Sequence, residues 1–279
     1  MKNLGYYNGQ FGELETMSVP MNDRVCYFGD GVYDATYSRN YKIFALDEHI
    51  DRIYNSAALV KMDIGQTKEE MKAILCDMVS KMDTGSNFVY WQLTRGTGIR
   101  NHVFPAGQKA NLWIMITPKD IVDVYKKVKL ITMEDTRFLH CNIKTLNLLP
   151  AVIASEKAKQ ANCNETVLHR GERVTECAHS NVHIIKDGMF VTAPTDHLIL
   201  PGIARAHLIK ACKKLGIAVD ETPFTVEEMM SADEVIISSS GSLCLAADEI
   251  DGKKVGGGAP ELLRRLQDEV LREFMEETN

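Results

Sequence analysis

The stretch FLHCNIKTLNLL, residues 138–149, places a single lysine between two apolar segments. An apolar strand is predicted before it at residues 128–131, and an apolar helix after it from about residue 146 to residue 160. A lysine in such surroundings either extends its ammonium group to water or occupies a site that disfavours charge, and an uncharged amine is nucleophilic. Lys144 is therefore our candidate for covalent chemistry. A structural lysine at a helix start is the simpler alternative.

The composition is that of a globular protein that acts on small molecules. With 279 residues, 45% of them apolar, the chain is long enough for two domains. Its net charge of −6 argues against a nucleic-acid or anionic-membrane partner, since both require clustered cations. The seven cysteines include no CxxC pair, and the first residues contain no apolar signal core. We therefore expect free thiols, no metal site, no membrane segment and a cytoplasmic location.

Turn and capping signals predict two halves, each with both helices and strands, and a domain boundary near residue 120. In the first half, Asn8-Gly9 and residues 39–40 predict hairpin turns, and Thr67 with Glu70 predicts a capped helix. Residues 118–120 form the best linker candidate. We therefore predict a small N-terminal α/β domain over residues 1–120 and a C-terminal domain over residues 121–279 that carries the lysine.

The second half contains two segments typical of anion sites. Gly202 precedes a predicted helix over residues 203–215 that Gly216 closes, and free amides at a helix start favour a phosphate. A serine-rich run, residues 238–242, follows a predicted strand and offers hydroxyls and amides. Ordinary capping and an ordinary turn are the alternatives. Because the chain contains neither GxxxxGK[ST] nor GxGxxG, nucleotide loops are not expected.

Several charged residues lie in turns and loops where they could act on a ligand. Glu176 follows a turn and could stabilise a protonated ring nitrogen, or it could be a solvated turn residue. Arg100 and His102 lie two apart in a loop, so an extended backbone points both one way, as suits a carboxylate. We expect structural roles for His179 and His183, because no third metal ligand accompanies them.

Six segments carry a wider resemblance, in order and spacing, over nearly the whole chain. They are DRVCYFGDGVYDA at 23–35, DEHIDRIYNSA at 47–57, LTRGTGIRNHVFP at 93–105, CNIKTLNLL at 141–149, HRGERVTECAHSNV at 169–182 and LPGIAR at 200–205. Together they resemble the fold-type IV family of pyridoxal-phosphate enzymes: D-amino acid aminotransferases, branched-chain aminotransferases and aminodeoxychorismate lyases. The resemblance implies an α+β fold with a smaller N-terminal domain and a larger C-terminal domain built on a pseudo-barrel sheet.

The resemblance also implies roles for individual residues around pyridoxal 5'-phosphate. Lys144, in the K-[ST]-x-N stretch, would hold the cofactor covalently and act as the catalytic base. Glu176 would pair with the pyridine nitrogen, and Arg52 would bind the phosphate. The remaining cofactor contacts would be the Leu200 side chain, the amides of Ile203 and Ala204, and the hydroxyls of Ser239 and Ser240.

Within the family, R-x-H after a G-T-x-x turn is the mark of D-amino acid aminotransferases. Here that motif falls on Arg100 and His102, which with Tyr33 would hold the substrate α-carboxylate. The resemblance implies a homodimer in which the loop of Arg100 and His102 is supplied across the interface. It implies transamination between a D-amino acid and a 2-oxo acid such as 2-oxoglutarate or pyruvate.

Some positions depart from the family pattern, and other functions stay open. Ala204 and Gly241 stand where hydroxyl residues are frequent, while His179 and His183 replace small polar and apolar residues. The alternatives within the family are a branched-chain aminotransferase and an aminodeoxychorismate lyase. Outside it, Lys144 could react directly with a carbonyl substrate, as in a cofactor-free aldolase. A protein that only binds a phosphometabolite is the non-enzymatic alternative.

Overall fold

The structure is a computed structural model that describes residues 2–279 and contains two compact units. The first unit comprises the chain up to Ile121 together with Ile143–Asn147 and Met275–Asn279, and the second comprises Val122–Asn142 and Leu148–Phe274. The lysine segment thus groups with the first unit, although the sequence analysis assigns it to the C-terminal domain.

The first unit contains a six-stranded antiparallel sheet with helices packed on it. Its strands are β1 (Leu4–Tyr7), β2 (Gln10–Glu13), β3 (Gly31–Arg39), β4 (Lys42–Ile43), β5 (Asn87–Thr94) and β6 (Asn111–Pro118). Their order in the sheet is β2-β1-β6-β5-β3-β4. Its helices are α1 (Arg24–Phe28), α2 (Leu46–Leu59) and α3 (Lys68–Ser80), with a 3₁₀ turn at Leu14–Thr16.

Local sequence signals explain the elements of this unit. Asn8 and Gly9 adopt positive φ angles of 47° and 92° between β1 and β2, which confirms the predicted hairpin turn. The turn expected at residues 39–40 lies one residue later, at Asn40 and Tyr41, whose φ angles are also positive. Thr67 forms the predicted capping box with Glu70 at the start of α3. The apolar faces of α2 and α3 then pack in one core with the central strands.

The second unit is built on a nine-stranded mixed sheet that curls into a half barrel. Its strands are β7 (Lys127–Glu134), β8 (Glu165–Arg170), β9 (Arg173–Cys177), β10 (Asn181–Lys186), β11 (Met189–Thr192), β12 (Val219–Asp220), β13 (Glu234–Ser238), β14 (Leu245–Ile250) and β15 (Lys253–Lys254). The order is β12-β11-β10-β13-β14-β7-β8-β9, with β15 paired to β14. Its helices are α4 (Leu149–Gln160), α5 (Ile203–Leu215), α6 (Val226–Met230) and α7 (Pro260–Glu277), the last of which belongs to this unit up to Phe274. The predicted α+β fold class is confirmed.

Helix α5 confirms its predicted bounds, whereas α4 begins later than predicted. Gly216 closes α5 in the left-handed conformation, with a φ angle of 71°. Helix α4 begins at Leu149 rather than near residue 146. The reason is that the Leu146 amide donates to Gly31 O, so this residue pairs with β3 instead of entering the helix. Across residues 2–279, no helix has both the length and the apolar character needed to cross a membrane.

Candidate active site

The lysine segment is joined to strand β3 by two backbone hydrogen bonds, one at Lys144 itself and one at Leu146. The Tyr33 amide donates to Lys144 O over 2.9 Å, and the Leu146 amide donates to Gly31 O over 3.0 Å. The Lys144 amide also donates to Ser56 Oγ. Lys144 is half-buried, and its Nζ lies 4.4 Å from the centre of the Tyr33 ring. The backbone of Lys144 is therefore held through its carbonyl by β3 and through its amide by Ser56 of α2.

Gly31 permits the close approach of these two segments. A Cβ atom at Gly31 would lie 2.6 Å from Leu93 O and 2.5 Å from Leu146 Cδ1. Backbone oxygen cannot move aside as a flexible side chain does, so only glycine fits this position. The glycine of the G-V-Y stretch thus allows the lysine segment to pair with β3.

Tyr33 is placed by a second aromatic ring as well as by the lysine segment. Its ring stacks on that of Tyr90, with centres 5.4 Å apart and planes 26° apart. The Tyr90 hydroxyl donates to Gln92 Oε1, and burial raises the pKa of Tyr90 well above its ordinary value. Tyr90 therefore stays a neutral, half-buried support for Tyr33.

Arg52 is oriented by a buried carboxylate that the sequence analysis did not identify. Asp34, on β3, is fully buried and accepts from Arg52 Nε at 2.8 Å and from Arg52 Nη2 at 2.6 Å. His49 Nδ1 lies 2.7 Å from the same carboxylate. The two-point contact fixes the plane of the guanidinium group, which a single bond would leave free to rotate.

The charges of this cluster follow from the competition between burial and pairing. Burial by itself would raise the pKa of Asp34, but Arg52 and His49 outweigh it and hold that pKa well below its ordinary value. Burial lowers the pKa of His49, and the neighbouring Arg52 and Lys144 cations lower it further, while Asp34 opposes them in part. The cluster is therefore an ionised carboxylate shared by Arg52 and a buried imidazole.

Arg100 and His102 lie in an exposed loop and share one aromatic neighbour. The Arg100 guanidinium lies 5.1 Å from the centre of the Phe28 ring, and the His102 ring lies 5.0 Å from it. Buried Arg24 holds the loop by donating to Asn101 O over 2.6 Å. The structure thus brings Arg100 and His102 together on Phe28, while Tyr33 contacts Tyr90 and Lys144.

In the second unit, Glu176 is buried and bonded through both oxygens. Its Oε1 forms an ion pair with Arg137, and its Oε2 accepts from Asn181 Nδ2 at 2.9 Å and from the Leu200 amide at 3.0 Å. Asn181 Nδ2 also donates to Leu200 O. Glu176 and Leu200, two of the predicted cofactor contacts, are therefore held together by Asn181.

Arg137 supplies the positive charge beside Glu176 and is itself held by Asp135. Two bonds of 2.9 Å join its Nε and Nη2 to the Asp135 carboxylate. Burial would lower the pKa of Arg137, but Asp135 and Glu176 raise it above its ordinary value. A permanent cation therefore faces the Glu176 carboxylate.

The two predicted anion sites also belong to the second unit. Ile203 and Ala204 form the first turn of α5, whose N-cap Gly202 has no side-chain hydrogen bond, so the first amides of the helix have no capping side chain. A side chain at Gly202 would collide with Asn181 Oδ1. Ser239 and Ser240 form a turn after β13, in which Ser239 O accepts from the amide of Leu243 at 2.9 Å.

The predicted site residues fall into two groups according to the unit that contains them. Lys144, Tyr33, Arg52, Arg100 and His102 belong to the first unit; Glu176, Leu200, Ile203, Ala204, Ser239 and Ser240 belong to the second.

Among the residues that hold members of these groups, Asp34, His49, Arg137 and Asn181 were not predicted from the sequence. Asp34 and His49 lie inside quoted motifs, and Arg137 stands directly before the lysine stretch. Nothing in local spacing reveals their contacts, since Asp34 and Arg137 reach across 18 and 39 positions to Arg52 and Glu176.

Comparisons with known proteins give one consistent family. The profile described as amino-transferase class IV matches residues 31–250. A D-alanine aminotransferase of Listeria monocytogenes is 43% identical over 256 residues, which cover 90% of this chain and 89% of that protein. Among solved structures, the branched-chain amino acid aminotransferase of Escherichia coli superposes with a TM-score of 0.91 at 23% identity, covering 100% of this chain and 96% of that one. A Brucella abortus aminotransferase bound to the cofactor PLP gives a TM-score of 0.88 at 19% identity, covering 98% and 99%.

Proposed function

This chain belongs to the class IV aminotransferase family, and from that premise we propose that it transfers the amino group of a D-amino acid, D-alanine foremost, to a 2-oxo acid such as 2-oxoglutarate or pyruvate. The observation that carries the proposal is the 43% identity to a D-alanine aminotransferase over nine tenths of both chains. The R-x-H pair at Arg100 and His102, which the resemblance links to D-amino acid substrates, supports it.

The residues of both groups fit pyridoxal 5'-phosphate as the cofactor. The start of α5 offers amides without a capping side chain, as a phosphate group requires. Glu176 is a buried carboxylate beside a permanent cation. It is therefore suited to accept a hydrogen bond from a protonated ring nitrogen. In the first unit, Arg52 is a second candidate for the phosphate and Lys144 is the amine that would hold the aldehyde.

The chemistry divides between the cofactor and the residues of this chain. When bound, pyridoxal phosphate supplies an aldehyde for the amino group and a ring that withdraws electrons. Once the amino group of the substrate had displaced it from the aldehyde, Lys144 Nζ would take the proton from the substrate Cα and return it at the cofactor's aldehyde carbon. Glu176 would keep the ring nitrogen protonated. Arg52, oriented by Asp34, would hold the phosphate so that Lys144 stays within reach of the substrate.

Substrate orientation would depend on the loop that carries Arg100 and His102. We infer that these residues, with Tyr33, bind the α-carboxylate, and that a homodimer supplies the loop to the partner's site. The exposed side chains of Ile99, Val103 and Phe104 in this loop support an interface there. We also infer a cytoplasmic location, because the seven free cysteines fit a reducing compartment.

A spectrum of the purified protein tests the cofactor and the handedness together. We expect a yellow protein whose visible band changes on adding D-alanine and stays unchanged with L-alanine. A protein that stays colourless after incubation with pyridoxal phosphate would refute the cofactor. An equal response to both enantiomers would refute the D-specificity.

Product analysis separates the remaining members of the family. The solved neighbours named branched-chain aminotransferases share the fold at 23% identity, which makes L-leucine the first rival substrate. Pyruvate from D-alanine, 4-methyl-2-oxopentanoate from L-leucine, and pyruvate from aminodeoxychorismate would each identify a different activity. Arg100→Ala should raise KM for α-carboxylates by roughly 10–100-fold, because it removes a charged contact. An unaltered KM would overturn the carboxylate assignment.

A further inference from the structure

A buried histidine lies between the two candidate phosphate-binding segments of the second unit. His183, on β10, has no exposed surface, and both of its ring nitrogens are bonded. Its Nδ1 lies 2.8 Å from Thr192 Oγ1 on β11, and its Nε2 lies 2.8 Å from Ser238 Oγ on β13. These strands flank β10 in the sheet, so the imidazole connects three adjacent strands through side chains.

The chain of hydrogen bonds continues from Thr192 to helix α5. Arg205 Nε donates to Thr192 Oγ1 over 3.1 Å, and Arg205 Nη2 donates to Ala193 O over 2.9 Å. Arg205 also pairs with Glu221. Arginine is the next residue after Ala204, and Ser238 directly precedes Ser239. Each end of this series of hydrogen bonds is therefore adjacent in sequence to a candidate phosphate contact.

The donor and acceptor capacities of these side chains determine which atom donates in each of the hydrogen bonds. Arginine only donates, so Thr192 Oγ1 accepts from Arg205 and has one proton of its own to give. His183 Nδ1 is the acceptor in reach, and the ring must then carry its proton on Nε2 and donate to Ser238 Oγ. In the opposite tautomer, the buried Thr192 hydroxyl would lose its acceptor, which is unfavourable.

We propose that His183 is a positioning residue, neutral and protonated on Nε2, which holds the serine turn after β13 and the start of α5 at the spacing that one phosphate group requires. The inference rests on the proposed function. Burial, and then the Arg205 cation, lower the pKa of His183 to about 3, so the ring stays uncharged at neutral pH.

The departures of this chain from the family pattern give His183 its importance. Ala204 and Gly241 lack the hydroxyls that are frequent at these positions, so backbone amides must supply more of the phosphate contacts. Amides bind a phosphate well only when their segments are already in place. A histidine in place of an apolar residue adds two bonds that hold those segments.

The test compares binding of pyridoxal phosphate with binding of pyridoxal, which lacks the phosphate, to the full-length protein freed of cofactor. His183→Phe keeps a buried ring and removes both bonds. We expect it to raise the Kd of pyridoxal phosphate about tenfold or more, the size of effect typical of outer-shell partners, with little change in the Kd of pyridoxal. His183→Gln, which retains a side-chain donor, should restore part of the affinity.

His207→Phe is the matched control, because it removes another largely buried histidine of the same unit, one that pairs with Glu273 on α7. It should leave both Kd values unchanged. Equal losses of affinity for pyridoxal phosphate and pyridoxal in His183→Phe, or no loss of either, would overturn the inference.

Two further measurements apply even where His183→Phe does not fold. Thr192→Val removes only the threonine link and should also weaken pyridoxal phosphate selectively. Nitrogen-15 NMR of the wild-type protein should find His183 protonated on Nε2 and unchanged between pH 5 and 8. A proton on Nδ1, or a titration in that range, would refute the inference. Wild-type protein that binds no pyridoxal phosphate would instead refute the proposed function, and this inference with it.

Discussion

Replacing Asp34 by asparagine tests whether a buried charge holds Arg52 in place. The substitution keeps the volume of the side chain and removes its charge from a fully buried site, where it accepts from Arg52 at 2.8 and 2.6 Å and lies 2.7 Å from His49. Removal of one partner of a buried ion pair leaves the other charge uncompensated, which costs about 3–5 kcal/mol. We expect Asp34→Asn to lower the free energy of unfolding by that amount at pH 7.

Chemical denaturation followed by fluorescence measures the loss, and Asp51→Asn provides the control. Asp51 lies on α2, the helix that carries Arg52, and pairs with Lys68 at 2.7 Å, with the Asp51 side chain 65% exposed and that of Lys68 43% exposed. Surface pairs contribute about 0–1 kcal/mol, so this variant should unfold almost like the wild type. If the two variants differ by less than about 1 kcal/mol, the buried pair does not have the strength we assign to it.

The pH dependence gives an independent check of the Asp34 charge. Because the folded-state pKa of Asp34 is depressed, its stabilising contribution is complete above the unfolded pKa near 4 and is lost as the pH falls towards the folded pKa. The Asp34→Asn variant has no ionisable carboxyl group at this position. The difference between variant and wild type should therefore shrink as the pH falls below about 4. A difference that stays constant from pH 7 to pH 3 would contradict the assignment.

Three other predictions concern the amine, the glycine beside it and the buried histidine. Lys144→Ala should abolish the change in the visible band on adding D-alanine and lower kcat by roughly 10²–10⁴-fold; normal turnover would remove Lys144 from the reaction. Gly31→Ala should destabilise the fold by about 1–3 kcal/mol in a denaturation experiment, because its Cβ would lie 2.6 Å from Leu93 O. With a folded-state pKa of about 3 for His183 against about 6.5 unfolded, wild-type stability should fall by up to about 1.4 kcal/mol per pH unit as the pH drops through that range. His183→Phe should reduce the slope by this contribution, and an equally steep profile in the variant would show that other groups cause all of it.

The sequence by itself determined the elements whose signals are local. The capping box of Thr67, the Asn8-Gly9 turn and the helix between Gly202 and Gly216 all follow from residues within a few positions of each other. Such signals act through the backbone of the same turn, so they can be recognised without knowledge of the rest of the chain. The motifs that indicated the family were likewise recognised as short contiguous stretches of the sequence.

Predictions from the sequence were wrong or absent where distant segments meet. The helix after Lys144 was predicted three residues too early, because pairing of Leu146 with Gly31 overrides its helical preference. Short helix α1 and strand β14 were not predicted. Strand β14 is rich in alanine and owes its conformation to pairing with both β13 and β7, which no local pattern encodes.

The candidate site divides in the same way. Its candidate residues for chemistry, Lys144 and Glu176 among them, were predicted from the sequence. Only the tertiary structure showed what holds Arg52 and Glu176, namely Asp34 and Arg137, which lie 18 and 39 positions away from them. The physical reason is that a buried charge is stable only beside an opposite charge, and folding rather than sequence spacing brings the two together.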